Sequence, residues 1–212
     1  MRLSGTAVAT LCLTLGAALS GHAMEGGVPA FLPSKQAAQA PDGAVSLCRT
    51  YPWACAGMRE YGASTGALLD VAARINRHAN AAIPAITDLA QYGRAEHWAL
   101  PGNRGGDCED YVLYKKKALI AAGVPAQNLL IAVVLDHRED THAVLILRTS
   151  EGDYVLDNVT DRILPWGRTG YTFLSMQNPA DPTGWVMVFE QAPRRLAANI
   201  GLRTGALSAA GN

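Results

Sequence analysis

The 212-residue chain reads as an α+β domain, with helices first and an antiparallel sheet after them. Three patterns predict this. Leu68, Val71, Ala72, Ile75, Ala79 and Ile83 repeat at the three-or-four spacing of a buried helix face. A second helical pattern runs from Asp107 or Cys108 to Ala122. β-branched apolar runs then follow one another, separated by turn signals and not by helices, which argues against a doubly wound parallel sheet.

The elements can be justified in chain order. Residues 1–23 have the layout of a secretory signal peptide. Arg2 supplies the positive start, Thr6 to Leu19 is apolar and uncharged, and Gly21-His22-Ala23 offers small residues near a cleavage point. The apolar run falls short of the ~20 residues a membrane span needs, and no later stretch could cross a bilayer. Residues 24–46, rich in Ala, Pro, Gly and Gln, read as a flexible mature N-terminus with little core. The domain proper is expected over 47–192, and 193–212 as a loosely ordered tail rich in Ala, Gly and Arg.

Within the domain, Ser64 is the expected N-cap of a helix that reaches about Ala82. An irregular segment follows, through Trp98 to Gly106. The helix from Asp107 or Cys108 is stopped by Gly123 and Pro125. Its pattern, Val112, Leu113, Lys116, Leu119 and Ile120, suggests an amphipathic helix with a basic outer face. Strands are expected at Leu129–Leu135, His142–Thr149, Tyr154–Asp157 and Val186–Phe189, with a turn at Ser150-Glu151-Gly152-Asp153.

Charge excludes some functions. The chain carries 18 basic and 18 acidic residues, and loss of Arg2 with the signal leaves 17 basic, a balance near −1. No basic footprint exists for a nucleic acid or an anionic membrane surface. Cysteine usage says more. Cys12 should leave with the signal, so the exported chain keeps Cys48, Cys55 and Cys108. An oxidising compartment favours pairing. Cys48 and Cys55 are close, and Pro52 between them helps the chain turn back, so these two are expected to form a disulfide. Cys108 is then the odd thiol, which flags it as reactive.

Cys108 sits in Gly105-Gly106-Asp107-Cys108-Glu109-Asp110-Tyr111. A thiolate is the nucleophilic form, and a helix N-terminus favours it through unpaired N–H groups and the macrodipole. Those N–H groups could also hold an oxyanion. Asp107, Glu109 and Asp110 oppose this by placing negative charge beside the sulfur. Two resolutions stay open on the residues. Asp107 and Asp110 could cap the helix while Glu109 faces water. Alternatively, some of these carboxylates bind calcium, a hard cation that takes oxygen ligands. For a general base, His142 opens one strand and Asp157 closes the strand that returns beside it, so both can face one point. Asp157 could then orient the imidazole as the third member of a triad. His78, His97 and His137 are weaker choices by position.

Gly-Asp-Cys-Glu-Asp-Tyr, the His-Ala-Val-Leu strand at His142, and Val-Leu-Asp-Asn at 155–158 together resemble the bacterial transglutaminase-like cysteine peptidases, with the LapG-type periplasmic proteases among them. The resemblance runs from about Cys48 to Phe189. It implies a papain-like, transglutaminase-like core in which a helix-borne cysteine packs against an antiparallel sheet carrying His and Asp. It implies Cys108 as nucleophile, His142 as base and acid, and Asp157 as orienting carboxylate. It favours the calcium reading of Asp107, Glu109 and Asp110, most of all for the first two, while Asp110 caps, binds or does both. Trp98 would line the cleft, aid an oxyanion hole, or simply pack beside the active-site helix. Asn76 is assigned no more than a helix-to-loop hydrogen bond. The implied activity is a periplasmic cysteine endopeptidase acting on a protein, with large biofilm adhesins as the family's substrates and an inner-membrane protein as a candidate regulator. Recognition would come from loops 136–141 and 158–170, with Arg138, Trp166 and Arg168 as candidates. Acyl transfer to an amine on the same triad, and a non-catalytic binding protein of the same fold, are the competing readings.

Overall fold

The computed structural model describes residues 28–57 and 64–189, so the expected signal peptide and the tail from 193 lie outside the described residues. Among the described residues seven strands form one antiparallel sheet: β1 Ala37–Ala38, β2 Leu129–Leu135, β3 Thr141–Arg148, β4 Asp153–Leu156, β5 Leu164–Pro165, β6 Thr172–Gln177 and β7 Trp185–Met187. Their spatial order is β1-β7-β6-β2-β3-β4-β5. The helices are α1 Leu47–Thr50, α2 Thr65–Ala82, α3 Asp88–Tyr92 and α4 Cys108–Ala121. This is the α+β arrangement that the order of patterns predicts.

β2 is central because every one of its residues is apolar. Leu129, Ile131, Val133 and Leu135 join the core beneath α2 and α4, and Leu130, Ala132 and Val134 join a second core on the opposite face. A strand buried on both faces loses the polar–apolar alternation of a half-exposed one. At ~1.5–3 kcal/mol for each fully buried aliphatic side chain, this strand anchors both layers. The β2–β3 register pairs Val134 with His142 and Val133 with Ala143, which fixes the base at one end of the central hairpin.

α2 begins where Ser64 accepts a hydrogen bond from the Ala67 N–H. Its buried face includes Leu68, Ala72 and Ala79. α4 packs across the sheet through Val112, Leu113 and Leu119. Cys48 and Cys55 form the expected disulfide, which ties α1 to the following turn under α4. The turn's Ala54 is fully buried.

Three sequence expectations need correction. The lysines of α4 do not together form a basic outer face: Lys115 and Lys116 are 1% and 0% exposed, and Lys117 is the exposed one of the three. Lys116 Nζ donates to the Leu129 carbonyl at 2.5 Å and to Gln177 Oε1 at 2.7 Å. Burial pushes its ammonium down to about 7. The segment read as flexible is tied down from residue 28. Leu32 is buried in the second core, its N–H donates to Asp153 Oδ2 at 2.8 Å, and β1 pairs with β7. β6, next to β2, is absent from the expected strands. Its buried Ser175 and Gln177 interrupt the apolar pattern, and Gln177 is accommodated because Lys116 and the Ile131 N–H donate to its oxygen while its amide donates to Ala54 O and Pro182 O.

Candidate active site

The nucleophile's position is built by the two residues that precede its own loop. Gly105 has φ +109°, and a Cβ there would lie 1.8 Å from the Pro84 carbonyl oxygen. Gly106 abuts Asp110, whose Cβ would be 2.5 Å from an added one. Only glycine allows both the positive φ and this close approach. The Gly106 N–H donates to Pro84 O at 3.1 Å, and Tyr111 donates to the Ile83 carbonyl. The start of α4 is thereby pinned to the end of α2, with Cys108 as its first residue.

Cys108 is the free cysteine among the described residues and is partly buried. It lines a cleft of about 190 Å³ with His142, Ala143, Trp98, Glu96 and Glu109. The Ala143 N–H, next to His142 on β3, favours the charged form of the sulfur. Burial acts in the opposite direction and dominates, followed by the charge of Glu109, so the thiol is held well above its ordinary range. Its Sγ donates to Glu109 Oε2 at 3.1 Å.

His142 Nε2 lies 2.9 Å from Asp157 Oδ1. Asp157 also accepts from the Tyr171 hydroxyl at 2.5 Å and from the Val159 N–H at 3.1 Å. Burial opposes its charge, but the hydrogen bonds from His142 and Tyr171 outweigh that, and its carboxyl is held below the usual range. An ionised Asp157 is an acceptor only, so Nε2 carries the proton and Nδ1 is left with a lone pair. The backbone of the Asp157 loop is held by α2: Asn80 donates to Asp157 O at 3.0 Å and to Asp161 Oδ1 at 2.9 Å, and Asn76 donates to Thr160 O at 3.2 Å. Asn76 thus makes the helix-to-loop bond expected of it.

The carboxylates beside Cys108 divide. Asp88, Asp107 and Glu109 each offer an oxygen within 4.8 Å of the other two. Asp110 is turned away, accepting the Ala99 N–H at 2.9 Å. Asp107 stands at the N-cap position of α4 but makes no side-chain cap; its Oδ2 accepts the Asp88 N–H at 2.9 Å. Burial first, and Asp107's charge second, raise both Asp88 and Glu109. Asp107 Oδ1 is buried without a hydrogen-bond partner. Three oxygen donors that repel one another around an orphaned carboxylate oxygen suit a hard cation such as calcium.

Trp98 lines the cleft and packs edge-on to Trp185 at 6.3 Å, while its indole N–H is committed to Glu96 Oε2 at 3.2 Å. Of the recognition candidates, Arg168 lines a second cavity, and Trp166 instead packs on Phe173 and donates to Pro29 O at 2.8 Å. The sequence reading missed Tyr171, Asp88, Asn80 and Glu96. Asp88 follows Thr87, an N-cap that accepts the Ala90 N–H, and that local signal marks only an ordinary helix start.

A family model described as bacterial transglutaminase-like cysteine proteinase BTLCP matches residues 34–192. No curated protein matches the chain. Among solved structures, EGTA-treated LapG of Legionella pneumophila aligns at 24% identity over 52% of this chain and 63% of its own, with a TM-score of 0.46. Calcium-bound LapG of the same organism aligns at 24% identity over 56% of this chain and 78% of its own, also at 0.46. A further LapG structure aligns at 23% over 52% and 65%, at 0.44. This chain spans just under two thirds of the first of these proteins, 63% of its length.

Proposed function

We propose that this chain, which belongs to the bacterial transglutaminase-like cysteine proteinases, is an exported, periplasmic endopeptidase that cleaves a protein substrate through a Cys108-His142-Asp157 triad and an acyl-enzyme. The observation that carries this reading is the His142–Asp157 pair at 2.9 Å, with its imidazole edge on the cleft that Cys108 lines.

The chemistry follows from the proton positions. Asp157 keeps the proton on Nε2, so Nδ1 receives the Cys108 proton as the sulfur attacks the scissile carbonyl. The resulting imidazolium is stabilised by the buried Asp157 charge, which Tyr171 and the Val159 N–H hold in place. The Cys108 N–H, in the first turn of α4, has no intrahelical acceptor and is a donor available to the developing oxyanion. His142 then returns its proton to the leaving amine, which departs and leaves a thioester on Cys108. Water enters and attacks the thioester as His142 takes its proton, the C–S bond breaks to release the acyl group as a carboxylic acid, and His142 returns the proton to the Cys108 sulfur.

Asp88, Asp107 and Glu109 are the residues that would hold calcium here. When bound, the cation would offset the negative charge that disfavours the Cys108 thiolate. A biofilm adhesin is the substrate class implied by the family resemblance. Support for export comes from the arrangement of residues 1–23 and from the disulfide.

Cys108→Ala in the full chain tests the mechanism. Cleavage of exported host proteins should fall to background while the thermal midpoint is retained. Activity persisting in this variant would sink the triad. Labelled amine offered together with a peptide donor separates hydrolysis from acyl transfer, and incorporation of the amine would favour the latter.

A further inference from the structure

A second cavity of about 320 Å³ lies on the other side of the catalytic pair: His142 lines the first, and its partner Asp157, with Tyr171, lines the second. The two differ in charge. Asp42, Glu96 and Glu109 line the cleft around Cys108. Arg162, Arg168 and His137 line the second cavity. We infer that this second cavity is a substrate subsite that takes an acidic side chain of the cleaved protein, held by Arg162 and Arg168. The inference rests on the protease reading above and names its specificity.

The guanidiniums are available for this. Both arginines are exposed, and among the described residues neither has a carboxylate partner. The acidic lining residue, Asp157, is already engaged by His142, Tyr171 and the Val159 N–H. Nearby Asp136 accepts the N–H groups of Arg138 and Asp140 in its own loop, and Asp161 accepts from Asn80. Two guanidiniums against the one Asp157 carboxylate leave the cavity lining with a net positive charge. Arginine suits this role because its planar fork matches a carboxylate in bidentate geometry.

The walls are built and not incidental. β5 pairs with β4 beneath the cavity, through Leu164 opposite Val155. Arg168 ends a 3₁₀ turn, Trp166–Arg168, closed by the Thr169 hydroxyl bonding to Trp166 O at 2.8 Å. Gly170, at φ +74°, lets the His137 ring approach, since a Cβ there would lie 2.7 Å from its Cε1. Tyr171 stands between the rings of His137 and His142, at 5.2 and 5.9 Å, so the subsite shares a wall with the triad.

The test uses the purified full chain and a positional peptide library in which Asp or Glu is compared with Asn or Gln at each site. Cleavage should prefer the acid at one position by roughly tenfold or more, as expected for a charge-assisted pair of hydrogen bonds. Arg162→Ala/Arg168→Ala should erase that preference, so that acid and amide peptides are cleaved at equal rates. Arg162→Glu/Arg168→Glu should shift the preference to Lys at the same position, a result that a structural role would not give. An acid preference absent from the wild type, or kept in both double variants, overturns the subsite. A parallel arm measures binding of the fluorescein-labelled Asp and Asn peptides to Cys108→Ala, with and without the arginine changes. If the wild type cleaves nothing, arginine-dependent binding of the Asp peptides upholds the subsite while the protease reading fails. Equal binding of Asp and Asn peptides overturns the subsite alone.

Discussion

Asp157→Asn probes the triad at the point where its geometry is best defined. The carboxylate accepts from His142 at 2.9 Å, from Tyr171 at 2.5 Å and from the Val159 N–H at 3.1 Å, and it is 3% exposed. Asparagine keeps the shape but brings one acceptor oxygen, one donor group and no charge. If the oxygen stays toward His142, the amide faces Tyr171, whose hydroxyl must turn to accept. If the amide faces His142, the imidazole takes the opposite tautomer and Nδ1 no longer accepts from Cys108. Hydrogen bonds to a charged group are worth ~1.5–3 kcal/mol each, and two side-chain donors depend on this charge. The loss of transition-state stabilisation is then about 3–6 kcal/mol, or roughly two to four orders of magnitude in kcat/KM. The assay is steady-state cleavage of a quenched fluorescent peptide, with folding checked by circular dichroism. KM should change little, because Asp157 is buried behind the base. A loss below tenfold would refute the orienting role. Stability supplies a second readout. The carboxyl is held below its ordinary value of 3.8, so its ionised form stabilises the fold fully above that pH. The contribution is lost as pH falls through the lower folded value, so wild type and Asp157→Asn should converge in stability below about pH 4.

Calcium at a hundred times its Kd would stabilise the fold by ~2.7 kcal/mol, a rise of roughly 5–10 °C in Tm for a domain of this size. Chelation should remove the rise, and Asp88→Asn should largely abolish it; a full rise in that variant would move the cation elsewhere. Lys116→Met tests the buried ammonium. The folded value of about 7 lies below the unfolded 10.5, so the unfolded chain holds more protons between them and stability rises with pH across that window. Lys115, also lowered to about 7 by burial, has the same sign, so the variant should keep part of the rise. The difference should approach 1.4 kcal/mol per pH unit by urea unfolding at about pH 8 and 9.5. Parallel pH dependences would mean that Lys116 stays charged in the fold.

The elements legible in the sequence are those whose residues alternate or repeat without interruption. β2 is seven apolar residues in a row, and α2 carries both a Ser64 cap and a buried stripe. β6 was not legible because Gln177 and Ser175 are buried in it, and their partners, Lys116 among them, come from distant elements. The same pairing hid the burial of Lys116, since a lysine on a helix normally signals solvent. The strap from residue 28 was illegible for another reason. Its Leu32 and β1 are held by backbone bonds to Asp153, Met187 and the β7 edge, which leave no periodic trace.

The carboxylate cluster shows where spacing alone misleads. On a helical wheel Asp107 and Asp110, three apart, share a face and Glu109 points away from them. That geometry holds only for residues inside the helix. Asp107 is the N-cap residue, with φ −108° and ψ −161°, and its extended backbone turns its side chain back toward α3. There it meets the Asp88 N–H, and Asp88 brings its own carboxylate to within 4.8 Å. Asp110, already inside α4, is fixed against Gly106 and taken by the Ala99 N–H. Asp110 Oδ1 thereby holds the loop that carries Trp98 and Ala99, its Oδ2 is buried without a hydrogen-bond partner, and its carboxyl is raised to about 7 chiefly by burial. The residues that could share a cation are set by where the helix begins, one residue after Asp107. A variant that moved the N-cap by one position would change the cluster without altering any of its side chains.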